Sequence, residues 1–254
     1  MSVERIERAL EMARMHRATE VSLDRHPATR VAVDFARARN NRVVFPGDSG
    51  VAPQAYRMLR TQILQRVRQH SVRTLGVVSA VDGEGKTLTA INLALGIAAE
   101  SNQSVLLVDL DLRRPSVSSV LGLPVSEGLE SWFAGVCEVG DLCRGIEGIE
   151  RFEVIPTFAA VSASSEMLAS RRAQDMLLDL KSVRCDGLVI FDLPPVLLTD
   201  DFLTVAPLLD GVLLVATEGV TKRDDVTRVR ELLGNVRLVG TVLNRASESE
   251  RRAY

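Results

Sequence analysis

The sequence predicts an α/β fold, a doubly wound and mainly parallel sheet with a helical extension at its amino end. Two observations carry this. From Arg73 onward, short β-branched runs alternate with longer stretches of helical periodicity, the order that produces βαβ units. The runs are apolar almost throughout, as expected of strands covered on both faces. At 254 residues, 46% hydrophobic and 25% charged, the chain has room for one such domain plus extensions.

The elements follow in chain order. Val3, Ile6, Leu10 and Ala13 recur at helical spacing among Glu4, Arg5, Glu7, Arg8, Glu11 and Arg14, an amphipathic helix too short to stand without a partner surface. Residues 18–50, with Pro27, Pro46 and the stretch "GDSG", read as a linker or loosely attached arm. A helix starts near Ala52 and places Tyr56, Leu59, Ile63 and Val67 on one side, leaving Arg57, Arg60 and Arg66 largely free. Six strands are expected in "TLGVVSA", "SVLLVDL", "FEVIPT", "GLVIFDL", "GVLLVAT" and "LVGTVLN". The division is an amino-terminal helix and linker (1–50), a main domain (51–245) and a flexible polar tail (246–254).

Charge and composition exclude several classes. A net charge of −2 creates no broad field for nucleic acid. No apolar run reaches the roughly 18 residues that read as a membrane span, and the amino terminus lacks the apolar core of a signal peptide. Cys137, Cys143 and Cys185 are unevenly spaced, with His16, His26 and His70 elsewhere. A zinc site is not expected, and a cytoplasmic protein with reduced, buried thiols is.

The chemistry concentrates after the first strand. "AVDGEGKT" nearly matches GxxxxGK[ST], with Ala80 where the first glycine would stand. A strand, a loop punctuated by Gly83 and Gly85, and a helix beginning near Lys86 together offer backbone N–H groups to phosphate oxygens. Asp82, Gly83, Glu84, Gly85, Lys86, Thr87 and Leu88 form this candidate nucleotide site, a P-loop. Of 31 basic residues only Lys86, Lys181 and Lys222 are lysines, and one occupies the loop, where a compact ammonium reaches phosphates that a branched guanidinium would not. Thr87 is a candidate Mg²⁺ ligand. Asp109 and Asp111 end "VLLVDLDLRRP", and Asp192 ends "GLVIFDLPP". Carboxylates so placed repel by roughly 4 kcal/mol per close pair at an effective dielectric near 20, so a divalent cation is expected among them. Asp200 and Asp201 read as caps of the following helix. Arg113 and Arg114 either neutralise transferred phosphate or pair with local carboxylates.

"SAVDGEGKT", "VLLVDLDLRRPS" and "LVIFDLPPVLLTDD" resemble the Walker A, A′ and B motifs of the bacterial tyrosine kinases of the CpsD/CapB type, within the P-loop group that includes MinD/ParA ATPases. The resemblance extends through "LGLPVSEGLESWFAG", "DGVLLVATEGVTKRDDV" and "GTVLNR", over roughly residues 52–245. It implies an ATP- and Mg²⁺-dependent autokinase acting in capsule or exopolysaccharide export, partnered by a membrane chain-length regulator that recruits it to the membrane. It implies further that Lys86 grips phosphate, Thr87 and Asp192 hold the metal, Asp109 and Asp111 assist metal binding or activate the acceptor, and Asn244 reaches the adenine. Two features depart from the family. The tyrosine cluster is reduced to Tyr56 and Tyr254, leaving Tyr254 as candidate acceptor. The ExxRxxR assembly motif reads Gln54, Arg57, Arg60, which keeps the arginines as candidate contacts in a homo-oligomer. The loop lacks the signature lysine of MinD/ParA proteins. A MinD/ParA-like ATPase switch and a nucleotide-locked scaffold stand as the alternatives.

Overall fold

A computed structural model describes residues 28–100, 103–183 and 187–246. Its strands are β1 (Thr29–Val31), β2 (Thr74–Ser79), β3 (Val105–Asp109), β4 (Arg144–Ile146), β5 (Ile149–Ile155), β6 (Leu188–Asp192), β7 (Gly211–Thr217) and β8 (Leu238–Asn244). They form one eight-stranded sheet in the order β1-β4-β5-β3-β6-β2-β7-β8. Every neighbouring pair is parallel except β4 and β5.

The alternation of side chains along each strand divides the core in two. Leu75, Val77, Val105 and Leu107 face one layer, against helices α1 (Phe35–Asn40), α2 (Val51–Gln69), α3 (Lys86–Glu100) and α4 (Val117–Leu121). Val78, Leu106 and Val108 face the other, with α5 (Leu129–Phe133), α6 (Ser164–Ala169), α7 (Arg171–Val183), α8 (Asp201–Val205) and α9 (Arg223–Leu233). Successive residues pointing to opposite faces, both covered, explain why the six expected strands read as unbroken apolar runs.

The six expected strands are all present, as β2, β3 and β5 to β8. The reading of 18–50 as a loose arm is corrected for residues 28–50. Val33, Ala38, Val43 and Phe45 are buried in the first core layer. Strand β1 pairs with β4, and the Arg30 guanidinium donates to the carbonyls of Ile146 at 3.1 Å and Ile149 at 3.2 Å. Asn92 on α3 holds the returning chain, accepting from Val44 N at 2.8 Å and donating to Arg42 O at 3.2 Å. The expected amphipathic helix at Val3–Ala13 and the polar tail with Tyr254 lie outside the described residues.

Helix α2 buries Ile63, Leu64 and Val67, close to the expected face. Arg66 is not free: its guanidinium donates to the Val239 carbonyl, tying α2 to β8. Cys143 is buried but Cys137 only half-buried, a correction to the expectation of uniformly buried thiols; Cys185 lies outside the described residues. Among the described residues no helix is long and apolar enough to cross a membrane.

Candidate active site

Three adjacent strands, in the order β3-β6-β2, bring the motif residues together at their carboxyl ends, where doubly wound sheets hold ligands. The pairing is direct: Asp109 lies opposite Asp192, and Val77, shortly before the loop, is also in register with Asp192. Between β2 and α3, Gly83 (φ +78°) and Gly85 (φ +89°) take left-handed conformations, which glycine adopts without Cβ strain. Ala80 does not adopt a positive φ, so the alanine in place of the motif's first glycine carries no backbone penalty.

Lys86 opens α3. Its Nζ lies 2.6 Å from Asp111 Oδ2 and 3.9 Å from Asp192 Oδ1. The Thr87 hydroxyl donates to Asp192 Oδ2 at 2.6 Å and receives a hydrogen bond from Ser116 Oγ at 3.0 Å. Asp109 Oδ2 accepts from the amides of Ser116 at 3.1 Å and Val117 at 3.0 Å. Asp109, Asp111 and Asp192 are all buried, with a single ammonium against three carboxylates.

That imbalance appears in the acid strengths. Burial pushes the Asp192 carboxyl up to about 6, against the opposing pull of the Lys86 charge and the Thr87 hydroxyl. Burial and then the Asp192 charge drive Asp109 well above the usual carboxylate range. Burial alone would lower Lys86, but the Asp192 and Asp111 carboxylates outweigh it and the ammonium is held more firmly than usual. Asp109 Oδ1 and Asp192 Oδ1 are buried without a hydrogen-bond partner, an unusual condition for polar atoms. Two orphaned carboxylate oxygens beside a threonine hydroxyl are hard oxygen donors of the kind Mg²⁺ takes. That ion binds through one or two protein carboxylates and completes its shell with water and phosphate. The residues present therefore fit a magnesium ion. Among the described residues no cluster of three or more His, Cys, Asp or Glu forms an all-protein metal cage.

The remaining expected residues divide. Glu84 is buried and turned away from the phosphate side: its carboxylate accepts from Val81 N at 3.0 Å and from the Thr221 hydroxyl. Its carbonyl receives the Thr217 hydroxyl at 3.0 Å and the Asn244 amide at 2.9 Å, so Glu84 braces the loop. Asn244 thus rests against the loop backbone, and Arg245 beside it donates to Gly83 O at 3.1 Å. Leu88 packs into the first core layer. Asp82 pairs with Arg114 at the exposed rim. Arg57 and Arg60 lie apart from the cluster, 3.5 Å from the carbonyls of Asp48 and Gly96 respectively. Asp200 occupies the cap position of α8 but makes no side-chain cap bond. Asp201 is buried and instead accepts from Ser164 Oγ at 2.7 Å. Of the two readings of Arg113, the structure bears out pairing: its guanidinium meets Ser164 and Asp201. Ser116, Ser164, Thr217 and Thr221 carry no sequence signal, since scattered hydroxyl residues follow no period.

A family model described as an AAA domain matches residues 72–236, and the chain belongs to that family. It is similar to the tyrosine-protein kinase YwqD of Bacillus subtilis (strain 168), with 26% identity, covering 86% of this chain and 92% of that protein. The solved kinase domain of the Escherichia coli tyrosine kinase ETK superposes with a TM-score of 0.70 at 29% identity, over 91% of this chain and 88% of that one. The septum site-determining protein MinD of Pyrococcus horikoshii OT3, solved with Mg-ADP, superposes with a TM-score of 0.58 at 25% identity, over 70% and 72%. The resemblance read from the motifs is thereby supported over most of the chain, as is the doubly wound P-loop fold.

Proposed function

We propose that this protein is a Mg-ATP-dependent protein tyrosine autokinase of capsule or exopolysaccharide biosynthesis. The carrying observation is the convergence of Lys86, Thr87, Asp109, Asp111 and Asp192 beside a glycine-bearing loop at one helix amino terminus. The tyrosine kinases similar to it over most of its length support the choice of acceptor.

In this reading the loop amides from Gly83 to Leu88 and the Lys86 ammonium hold the β- and γ-phosphates. Thr87 and Asp192, with Asp109 behind them, hold the magnesium ion, which when bound supplies positive charge to the triphosphate. The phenol oxygen of the acceptor bonds to the γ-phosphorus while the bond to the β-bridging oxygen breaks and ADP leaves. The phenolic proton passes to a carboxylate. We assign this to Asp111, which stands beyond the end of β3 with Oδ2 2.6 Å from the Lys86 ammonium that holds phosphate, whereas Asp109 stands with the metal ligands. Positioning and preorganised charge supply the rate. Asn244 contributes to the adenine side from its place against the loop. Tyr254 is the acceptor, reached from a neighbouring copy, with Arg57 and Arg60 among the contacts between copies. A membrane chain-length regulator recruits and stimulates the protein at the inner face of the membrane.

The likeness to MinD favours one second reading, an ATPase switch with water as acceptor. Incubation with γ-labelled ATP and Mg²⁺ separates them. The kinase reading predicts label on protein, lost in Tyr254→Phe and in Lys86→Met. Label released only as inorganic phosphate would support the switch and overturn the kinase.

A further inference from the structure

We propose that Arg113, clamped by Ser164 and Asp201, is a positioning residue that fastens the turn carrying Asp111 to helix α8 and so keeps Asp111 on the Lys86 ammonium. The inference rests on reading Lys86 and Asp111 as the phosphate end of the active site, whichever acceptor the enzyme uses.

Asp111 belongs to no strand. It stands in the turn between β3 and α4, and its own Oδ1 is held within that turn by the Arg114 amide at 3.1 Å. Leu110 and Leu112, on either side of Asp111, are fully buried in the second core layer and seat the turn on the sheet. Leu110 N donates to Asp192 O at 2.9 Å, and Leu112 O accepts from Val161 N at 2.7 Å. The Arg114–Asp82 pair lies at the exposed rim, where ion pairs contribute little. Arg113, itself partly exposed, adds a polar anchor to α8, with its Nη2 also 3.7 Å from the exposed Asp200 carboxylate. Its Nε lies 2.9 Å from Ser164 Oγ and 3.5 Å from Asp201 Oδ2, while Ser164 Oγ donates to the same Asp201 oxygen at 2.7 Å.

Ser164 and Asp201 are both fully buried, and Asp201 Oδ1 has no hydrogen-bond partner. A buried carboxylate with one unsatisfied oxygen depends on its cation partner, and Arg113 lies 3.5 Å from it. Asp201 begins the helix that follows the Asp192 segment. Strand pairing already sets Asp109 opposite Asp192; the clamp adds a second link, from the turn bearing Asp111 to the helix that follows the Asp192 segment. Arg113 touches protein carboxylates, which separates this role from direct contact with phosphate.

The test uses the chain's three lysines. The full-length protein, free of nucleotide, is acetylated with N-hydroxysuccinimide acetate, and the rates at Lys86, Lys181 and Lys222 are read from the same sample by peptide mass spectrometry. Lys181 holds Asp210 at 2.5 Å and reports on the fold as a whole. In Asp201→Asn and in Ser164→Ala the Lys86 rate should rise on the order of tenfold relative to Lys181, the scale of losing a charge-assisted hydrogen bond. Arg113→Lys, which keeps the charge without the fork, should fall between these variants and wild type. An unchanged Lys86 rate, or Lys86 and Lys181 rising together, would overturn the proposal. Because acetylation needs no turnover, this failure is distinct from failure of the kinase reading, which appears as absence of label transfer in the wild type.

Discussion

At the scale of single residues, the site is built at a cost to the fold. Asp192 is fully buried, and its carboxyl titrates near 6 in the folded chain against an ordinary value near 3.8. Between those values the folded protein retains a proton that the unfolded chain has released. Stability therefore falls as pH rises through this window and stays lower above it. In magnesium-free buffer, Asp192→Asn should melt above wild type at pH 7.5, with the difference shrinking toward pH 4, while phosphotransfer is lost. Thermal melts across that range check it; a variant less stable than wild type at pH 7.5 would contradict the account. Glu84 shows how sequence can mislead at this scale. Its place inside the loop motif suggests a group at the phosphate, but its buried carboxylate faces Val81 N and Thr221. Nothing in the local pattern tells which way a loop side chain turns.

At the scale of elements, burial on both faces decided what the sequence disclosed. Strands such as Leu188–Asp192 and Gly211–Thr217, buried at every position, leave an apolar run that few other structures produce. The three-residue strands Thr29–Val31 and Arg144–Ile146 are too short for any period, and their burial patterns are mixed. The segment after β1 is similarly concealed. Val33, Ala38, Val43 and Phe45 reach the core from a strand exit, a six-residue helix and a loop, at spacings no repeat describes, among exposed arginines. Phe45 also stacks edge-on with Phe35, ring centroids 4.9 Å apart. Phe45→Ala should lower stability by about 3–5 kcal/mol, the usual cost of emptying a buried aromatic site. Urea unfolding measures this, and a loss under about 1 kcal/mol would restore the reading of this segment as a loose arm.

At the scale of the whole molecule, the convergence of Lys86, Thr87, Asp109 and Asp192 was legible because each ends or begins an element whose type was plain. The Ser164–Asp201–Arg113 clamp was not, because it joins residues far apart in sequence through hydroxyl and carboxylate groups that have no spacing rule. If transfer passes between copies, mixing Lys86→Met, which keeps Tyr254, with Tyr254→Phe, which keeps the site, should place label on the Lys86→Met chain alone. Mass spectrometry distinguishes the two chains, and an unlabelled mixture beside an active wild type would mean transfer within one chain.

The proposed function requires the buried acids and Lys86 to form one site for a magnesium-bound triphosphate. The most direct measurement is a calorimetric titration of ATP with Mg²⁺ near pH 6, repeated in buffers of different ionisation heat. The account predicts saturable, magnesium-dependent binding with net release of protons, as the metal displaces those that Asp192 and Asp109 retain. Absence of binding, or binding indifferent to magnesium and without proton release, would contradict it.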